Sequence, residues 1–263
     1  MTGAKPPESR TKVSSSHHTR WQDHQHKGDS VLKSCRPKSL AFLTLSVLIG
    51  NFVPGNVPQS LTLEEILTAI DQRGATLKSM SSSIHQKKWT DILGEFDQGE
   101  SGRFDFLKDG EKIYLRRDIV KPQKNSLIIR DGEVLFYQPK IKQLQRYDLG
   151  QRADHAEFLL LGFSSNKEAL EEAYEIRLGE KEVVGGRETY LLELTPKSKQ
   201  VSAYFSQIVL WIDVELWVPI QQKLVEHTRD YLLIRFDDIQ LNPKISKSRF
   251  DLKIGDDVQV VGS

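Results

Sequence analysis

After Ser83 the chain alternates apolar and polar residues with period two, and one stretch before it repeats with the period of a helix. Phe104 and Phe106 alternate with Arg103 and Asp105, and Ile113 and Leu115 alternate with Lys112, Tyr114 and Arg116. Leu127-Ile128-Ile129-Arg130 and Glu133-Val134-Leu135-Phe136-Tyr137 flank Asp131-Gly132. That pair predicts a two-residue hairpin turn, because Asp-Gly tolerates the positive φ such a turn needs. Tyr137-Gln138-Pro139 closes the second strand, and Ile141 to Tyr147 reads as a third. Further turns are expected at Asp97-Gln98-Gly99, Asp109-Gly110 and Gly185-Gly186. Strands are predicted at 174–183, 187–195, 205–213, 216–227 and 230–241, with short ones near 248–253 and 257–261. Strands of modest length between such turns predict an antiparallel meander.

Helical signals are fewer. Thr62-Leu63-Glu64-Glu65 is a capping box, in which the Thr hydroxyl and the Glu three residues on satisfy free groups at the helix start. Leu63, Ile66, Leu67, Ile70 and Leu77 follow at helical spacing, predicting a helix over 63–79 with Gly74 its weak point. Its apolar stripe needs a partner surface. Asp154 to Phe163, with Phe158-Leu159-Leu160-Leu161-Gly162-Phe163, is too apolar for a surface loop and reads as a helical interruption. Asn166 to Ala173 reads as a second short helix. Ile208-Val209-Leu210-Trp211-Ile212 and Leu216-Trp217-Val218-Pro219-Ile220 are nearly continuous, although an antiparallel sheet normally needs only one apolar face. Trp211 and Trp217 are expected in the core, with edge cover or a contact patch as alternatives.

Charge is unevenly placed. The net is +1, but residues 1–38 hold eight Lys/Arg against three acids, leaving 29 basic and 33 acidic residues, a net of −4, in the remainder. A mildly acidic folded part is a poor non-specific binder of nucleic acid. Residues 39–53 are uncharged and largely apolar, with Lys33, Arg36 and Lys38 ahead of them. That is the order of a secretory signal, and tolerable cleavage residues end at Gly55. The run is shorter than the roughly 20 residues a spanning helix usually needs. A cleaved signal over 31–55 is therefore the first expectation, and an uncleaved inner-membrane anchor the second. Residues 1–30, with His17, His18, His24 and His26, have the composition of an unstructured polar tail, either cytoplasmic or upstream of a true start near Val31. Residues 56–61 read as a linker. Cys35 precedes the apolar run, where a lipoprotein acylation site would follow it. The part after the run has no cysteine, so it must rely on its core rather than on disulfides.

No catalytic constellation emerges. His85, His155 and His227 are far apart in sequence and in no motif, and read as surface or satisfied histidines. Asp237-Asp238 and Asp256-Asp257 are adjacent carboxylates, which on a strand point to opposite faces. There is no Gly-rich phosphate loop and no Cys/His metal spacing. No enzyme, metal or cofactor is expected.

Taken in order, several stretches resemble the periplasmic outer-membrane lipoprotein carriers of the LolA family. They are Gly102-Arg103-Phe104-Asp105-Phe106, Leu127 to Pro139 with its Asp131-Gly132 turn, Phe158-Leu159-Leu160-Leu161, Tyr174-Glu175-Ile176, Leu192 to Lys197, and Phe250-Asp251-Leu252 with Gly255 and Val258. The resemblance covers about residues 61–261. It implies a mainly β (α+β) domain at 62–263, an incomplete antiparallel β-barrel of about ten to eleven strands that encloses or is covered by helices around an apolar cavity. It further implies a monomeric periplasmic carrier that shields the acyl chains of lipoproteins, or another lipid. Its donor would be an inner-membrane lipoprotein-releasing ABC transporter, and its acceptor an outer-membrane protein. The alternative is a membrane-anchored lipid- or lipoprotein-sensing regulatory module on the same fold. Candidate cavity residues are Phe104, Phe106, Leu115, Leu127, Ile129, Leu135, Tyr137, Phe158, Leu161 and Leu194. Where the family has Arg-Pro, whose Arg holds a lid shut, this chain has Lys108-Asp109. A lysine offers a point charge rather than a planar fork, so Lys108 is the candidate gate residue and altered gating or ligand is implied.

Overall fold

The capping box forms as the sequence predicts. The Glu65 amide donates to Thr62 Oγ1 at 3.3 Å and the Thr62 amide to Glu65 Oε2 at 2.8 Å, opening α1 (Leu63–Thr76), which buries Ile66, Leu67 and Ile70. The helix stops at Thr76, short of the predicted 79. Leu77 turns extended (φ −78°, ψ 110°), and Asn242 Oδ1 takes the Lys78 amide at 2.7 Å, steering the chain into the first strand. The computed structural model describes residues 61–148, 161–163 and 166–262, all within one compact unit, Asn56–Ser263. The tail, the signal or anchor, the linker up to residue 60, His155 and Phe158 to Leu160 lie outside the described residues.

Among the described residues there are fourteen strands. They are β1 (Ser79–Thr90), β2 (Glu95–Phe96), β3 (Glu100–Asp109), β4 (Lys112–Lys121), β5 (Asn125–Arg130), β6 (Glu133–Gln138), β7 (Gln143–Asp148), β8 (Tyr174–Leu178), β9 (Glu182–Val184), β10 (Arg187–Pro196), β11 (Gln207–Asp213), β12 (Pro219–Val225), β13 (Tyr231–Leu241) and β14 (Gln259–Val261). Two short helices, α2 (Lys167–Ala173) and α3 (Lys199–Ser202), and 3-10 turns at Pro139–Ile141 and Lys247–Phe250 complete the fold. All strands join one sheet in the order β14-β7-β6-β5-β4-β3-β1-β13-β12-β11-β10-β8, with β2 on β1 and β9 on β10. Its ends stay open at β14 and β8. The count exceeds the expected ten to eleven because the sheet gathers short pieces: β2, β9 and β14 have two or three residues each, and the predicted strand at 174–183 divides into β8 and β9. The meander is antiparallel except where β14 runs parallel to β7.

The Asp131-Gly132 turn joins β5 to β6 with Arg130 opposite Glu133, both turn residues at positive φ (48° and 81°). Alternation then sorts the side chains. One face carries the main core, including Met80, Ile84, Phe104, Phe106, Leu115, Ile129, Leu194, Ile208 and Phe236, packed on α1. Laid flat, twelve strands would span about 50 Å, whereas a 14-residue helix is about 21 Å long and could not shield them. The sheet curls instead, so strands of both halves close over α1 as an incomplete barrel with a concave apolar face.

The convex face is not uniformly wet. Tyr114, Ile128, Leu135, Leu144 and Phe250 form a second core there, and Val184, Val209, Trp211 and Ile220 a third. This accounts for the doubly apolar run in β11: Ile208, Leu210 and Ile212 join the main core while Val209 and Trp211 join the third. Trp217 packs against the main core and stacks on Tyr190 at 5.8 Å. The segment predicted as a strand near 248–253 is instead the Lys247–Phe250 turn. Arg116 Nη1 donates to the Arg249 and Asp251 carbonyls (3.0 and 2.9 Å), which takes those groups out of any ladder. The turn inserts Phe250 into the second core and aims Arg249 at two carboxylates. Arg249 Nε donates to Asp105 Oδ2 at 2.8 Å and Nη2 to Asp118 Oδ2 at 2.6 Å. Asp105, fully buried, also accepts from Ser81 Oγ at 2.7 Å and Arg103 Nε at 3.0 Å.

Arg249→Ala takes one charged partner from the buried Asp105, which keeps Ser81 and Arg103, and one from Asp118, which keeps Arg116; urea denaturation is expected to show a loss of about 1.5–3 kcal/mol. Burial tends to raise the Asp118 carboxyl, but hydrogen bonds from Arg116, Ser126 and Arg249 outweigh it and hold it below the ordinary carboxylate range. Its stabilisation is therefore complete above that range and is lost as pH falls toward the lowered value. The urea midpoint of the wild type should drop below about pH 4, with a shallower dependence in Asp118→Asn.

Candidate functional site

The concave face collects most of the predicted cavity residues. Phe104, Phe106, Leu115, Ile129, Leu161 and Leu194 are buried in the main core, and Leu127 packs against it. Leu135 and Tyr137 are not brought to them. Both lie on the convex face with the second core, because they alternate with Val134 on β6, which packs on the concave side. Lys108 shares the parity of Phe104 and Phe106 on β3. Its backbone amide donates to the Lys78 carbonyl at 2.7 Å, and the residue is half-buried, with no ion pair among the described residues.

Side chains fill this face. Phe163 lies 6.0 Å from the Phe104 ring and 5.3 Å, edge-on, from Phe236. Leu161 and Phe163 are 6% and 1% exposed, although neither belongs to a strand. Gly162 between them has φ +84°, a conformation that L side chains rarely adopt, and lies against Pro219. Gln222 Nε2 holds the Leu161 carbonyl at 3.1 Å. A groove of about 750 Å³ opens beside His85, Lys87, Gln221, Leu233 and Arg235, and its lining includes Gln86 and Glu100. None of the predicted apolar residues lines it, so the concave face remains the candidate site.

Polar groups interrupt the apolar surface. Arg117 on β4 lies opposite Phe104 on β3 and Leu127 on β5. Its Nη1 donates to Gln86 Oε1 at 3.1 Å and its Nη2 to Asn125 Oδ1 at 3.3 Å. The same two amides donate to Glu100, Gln86 Nε2 to Oε2 and Asn125 Nδ2 to Oε1. Arg117 and Glu100 are thus joined through amides, with no direct ion pair. Burial lowers the pKa of Arg117, partly opposed by the charge of Glu100. Arg117 Nε, Ser82 Oγ and Gln222 Oε1 are buried without a hydrogen-bond partner. Sequence reading passed over all three residues. For Arg117 a signal existed: positions 113, 115, 117 and 119 read Ile, Leu, Arg, Ile, a charge on the apolar parity. Gly102 is required where β3 crosses β4, since a Cβ there would sit 1.9 Å from the Asp118 carbonyl oxygen.

The sequence model of the family described as outer membrane lipoprotein carrier protein LolA matches residues 75–253, well over half of the chain. An outer-membrane lipoprotein carrier protein of Chromohalobacter salexigens is 32% identical over 145 residues, 54% of this chain and 63% of that protein, so the chain spans less than two thirds of that relative. Similar solved structures include the MucA/MucB complex of Pseudomonas aeruginosa (14% identity, 75% of this chain, 62% of that chain, TM-score 0.44). Lipoprotein LppX of Mycobacterium tuberculosis is another (11% identity, 70% of this chain, 99% of that chain, TM-score 0.44).

The orphaned hydroxyl is directly testable. Removing a buried group that makes no hydrogen bond relieves its desolvation, so Ser82→Ala should be neutral or stabilising by up to about 1 kcal/mol in urea denaturation. A clear loss of stability would mean that Ser82 has a partner.

Proposed function

The chain belongs to the LolA family of outer membrane lipoprotein carriers, and from that premise we propose that it shields the acyl chains of lipoproteins, or another lipid, against its concave face during transfer from the inner to the outer membrane. The family is periplasmic and binds rather than catalyses. Among the described residues no helix is long and apolar enough to cross a membrane, and in this proposal residues 39–53 serve as the export signal or anchor. The donor is an inner-membrane lipoprotein-releasing transporter and the acceptor an outer-membrane protein.

The observation that carries the proposal is the burial of Leu161 and Phe163 inside the concave face. They come from a connection rather than from the sheet, so hydrocarbon of another molecule can replace them without breaking a ladder. The physical need is plain. Each methylene moved from lipid to water costs about 0.8 kcal/mol, so a chain of about 16 carbons cannot leave a membrane without an equivalent apolar surface. The carrier must also let go. Competition from its own Leu161 and Phe163 weakens its grip relative to a site that needs no such displacement. Lys108, on the same face, is the proposed gate.

Phe163→Ala should lower stability by about 3–5 kcal/mol in urea while raising uptake of an apolar fluorescent probe several-fold. The full chain purified from a native periplasm should carry extractable lipid or acylated protein. If that preparation is lipid-free and neither wild type nor Phe163→Ala takes up the probe, the carrier function is wrong.

A further inference from the structure

Arg117 is a half-buried cation on the apolar face of β4. Phe104 and Leu127 flank it across the sheet, and Leu115 and Ile119, buried in the main core, share its face of β4. A guanidinium in such a place is ordinarily paired with a carboxylate, because an uncompensated buried charge is strongly unfavourable. Here neutral amide oxygens hold Nη1 and Nη2, and Nε is buried with no acceptor. The N–H groups of these amides turn to Glu100, with that of Asn125 also donating to the Gln123 carbonyl, and this directs their oxygens toward Arg117. Glu100 thereby acts as an orienting group, and the guanidinium is held rigidly with one donor unsatisfied.

We infer that Arg117 is a head-group site within the concave face, taking the oxyanion of an acylated amphiphile, a carboxylate or a phosphate, whose hydrocarbon lies along Phe104, Leu127 and their neighbours. The inference rests on the carrier function proposed above and specifies its ligand. A guanidinium suits both oxyanions, since its planar donors form charge-assisted hydrogen bonds to either. The alternative is a purely structural Arg117 that ties together the ends of β1, β3, β4 and β5.

The test is displacement of an apolar fluorescent probe from the full chain at pH 8 by three 16-carbon chains: hexadecanol, palmitate and hexadecyl phosphate. The wild type should bind at least one anionic chain about tenfold more tightly than hexadecanol, as expected for a hydrogen bond to a charged group. Whichever anion binds more tightly identifies the source as carboxylate or phosphate. Arg117→Met should bring the ratio to about one while leaving hexadecanol within about threefold, and Arg117→Lys should keep part of the preference. Equal binding of all three chains by the wild type overturns the inference and leaves the carrier function standing. A preference that survives in Arg117→Met overturns it too, and failure of all three to bind overturns the carrier function instead. Should Arg117→Met not fold, the wild-type ratio together with Arg117→Lys decides the matter.

Discussion

A sheet this wide with one largely apolar face cannot exist flat in water. At about 4.8 Å per strand its surface outgrows anything that a single 14-residue helix can cover, so it must fold that face inward. Curling does so with one helix, and it leaves the two edge strands, β8 and β14, apart. An incomplete barrel is therefore the natural product of these strands rather than a closed barrel with a piece missing. Gly102 belongs to the same constraint, for β3 and β4 approach so closely there that a side chain on that carbon would strike the neighbouring backbone.

Inward curvature creates an interior that has to be filled, and what fills it decides what it can do. Strand side chains such as Phe104 and Phe236 are held by the ladders on either side. Leu161 and Phe163 are not, and packing fixes them in place alongside a side-chain hydrogen bond from Gln222 to the Leu161 carbonyl. Their burial is thus the term most readily exchanged for hydrocarbon from elsewhere, because the exchange conserves apolar contact and leaves the sheet intact.

The sheet and its meander were legible because alternation and turn chemistry agree: Asp131-Gly132 turns where an Asp-Gly pair should, and the capping box opens α1 where Thr62 and Glu65 stand. Which face each strand presents was less legible. Leu127, Ile129, Leu135 and Tyr137 looked equivalent as apolar residues of one hairpin, yet Leu135 and Tyr137 face a second core that exists only because the Lys247–Phe250 turn returns from the far end of the chain. Period two alone cannot foresee a convex face that is also covered. Arg117 was missed for the opposite reason: a lone charge at an apolar parity is easily passed over next to the adjacent Arg116, whose side chain does belong outside.

These two neighbouring arginines show how the molecule uses charge on its two faces. On the convex side Arg116, Arg103 and Arg249 meet Asp118 and Asp105 directly, in contacts of 2.6 to 3.1 Å, and their other bonded donors reach the Ser81 hydroxyl and the Arg249 and Asp251 carbonyls. That is how a guanidinium is used to hold strands together, and it ties β3, β4 and the C-terminal turn into one piece. On the concave side Arg117 has a carboxylate within reach of its neighbours, and the chain places two amides between them instead. A direct Arg117–Glu100 pair would have neutralised the charge and closed the network. The amide spacers hold the guanidinium in place with Nε left without an acceptor, on the face where Phe104 and Leu127 lie beside it.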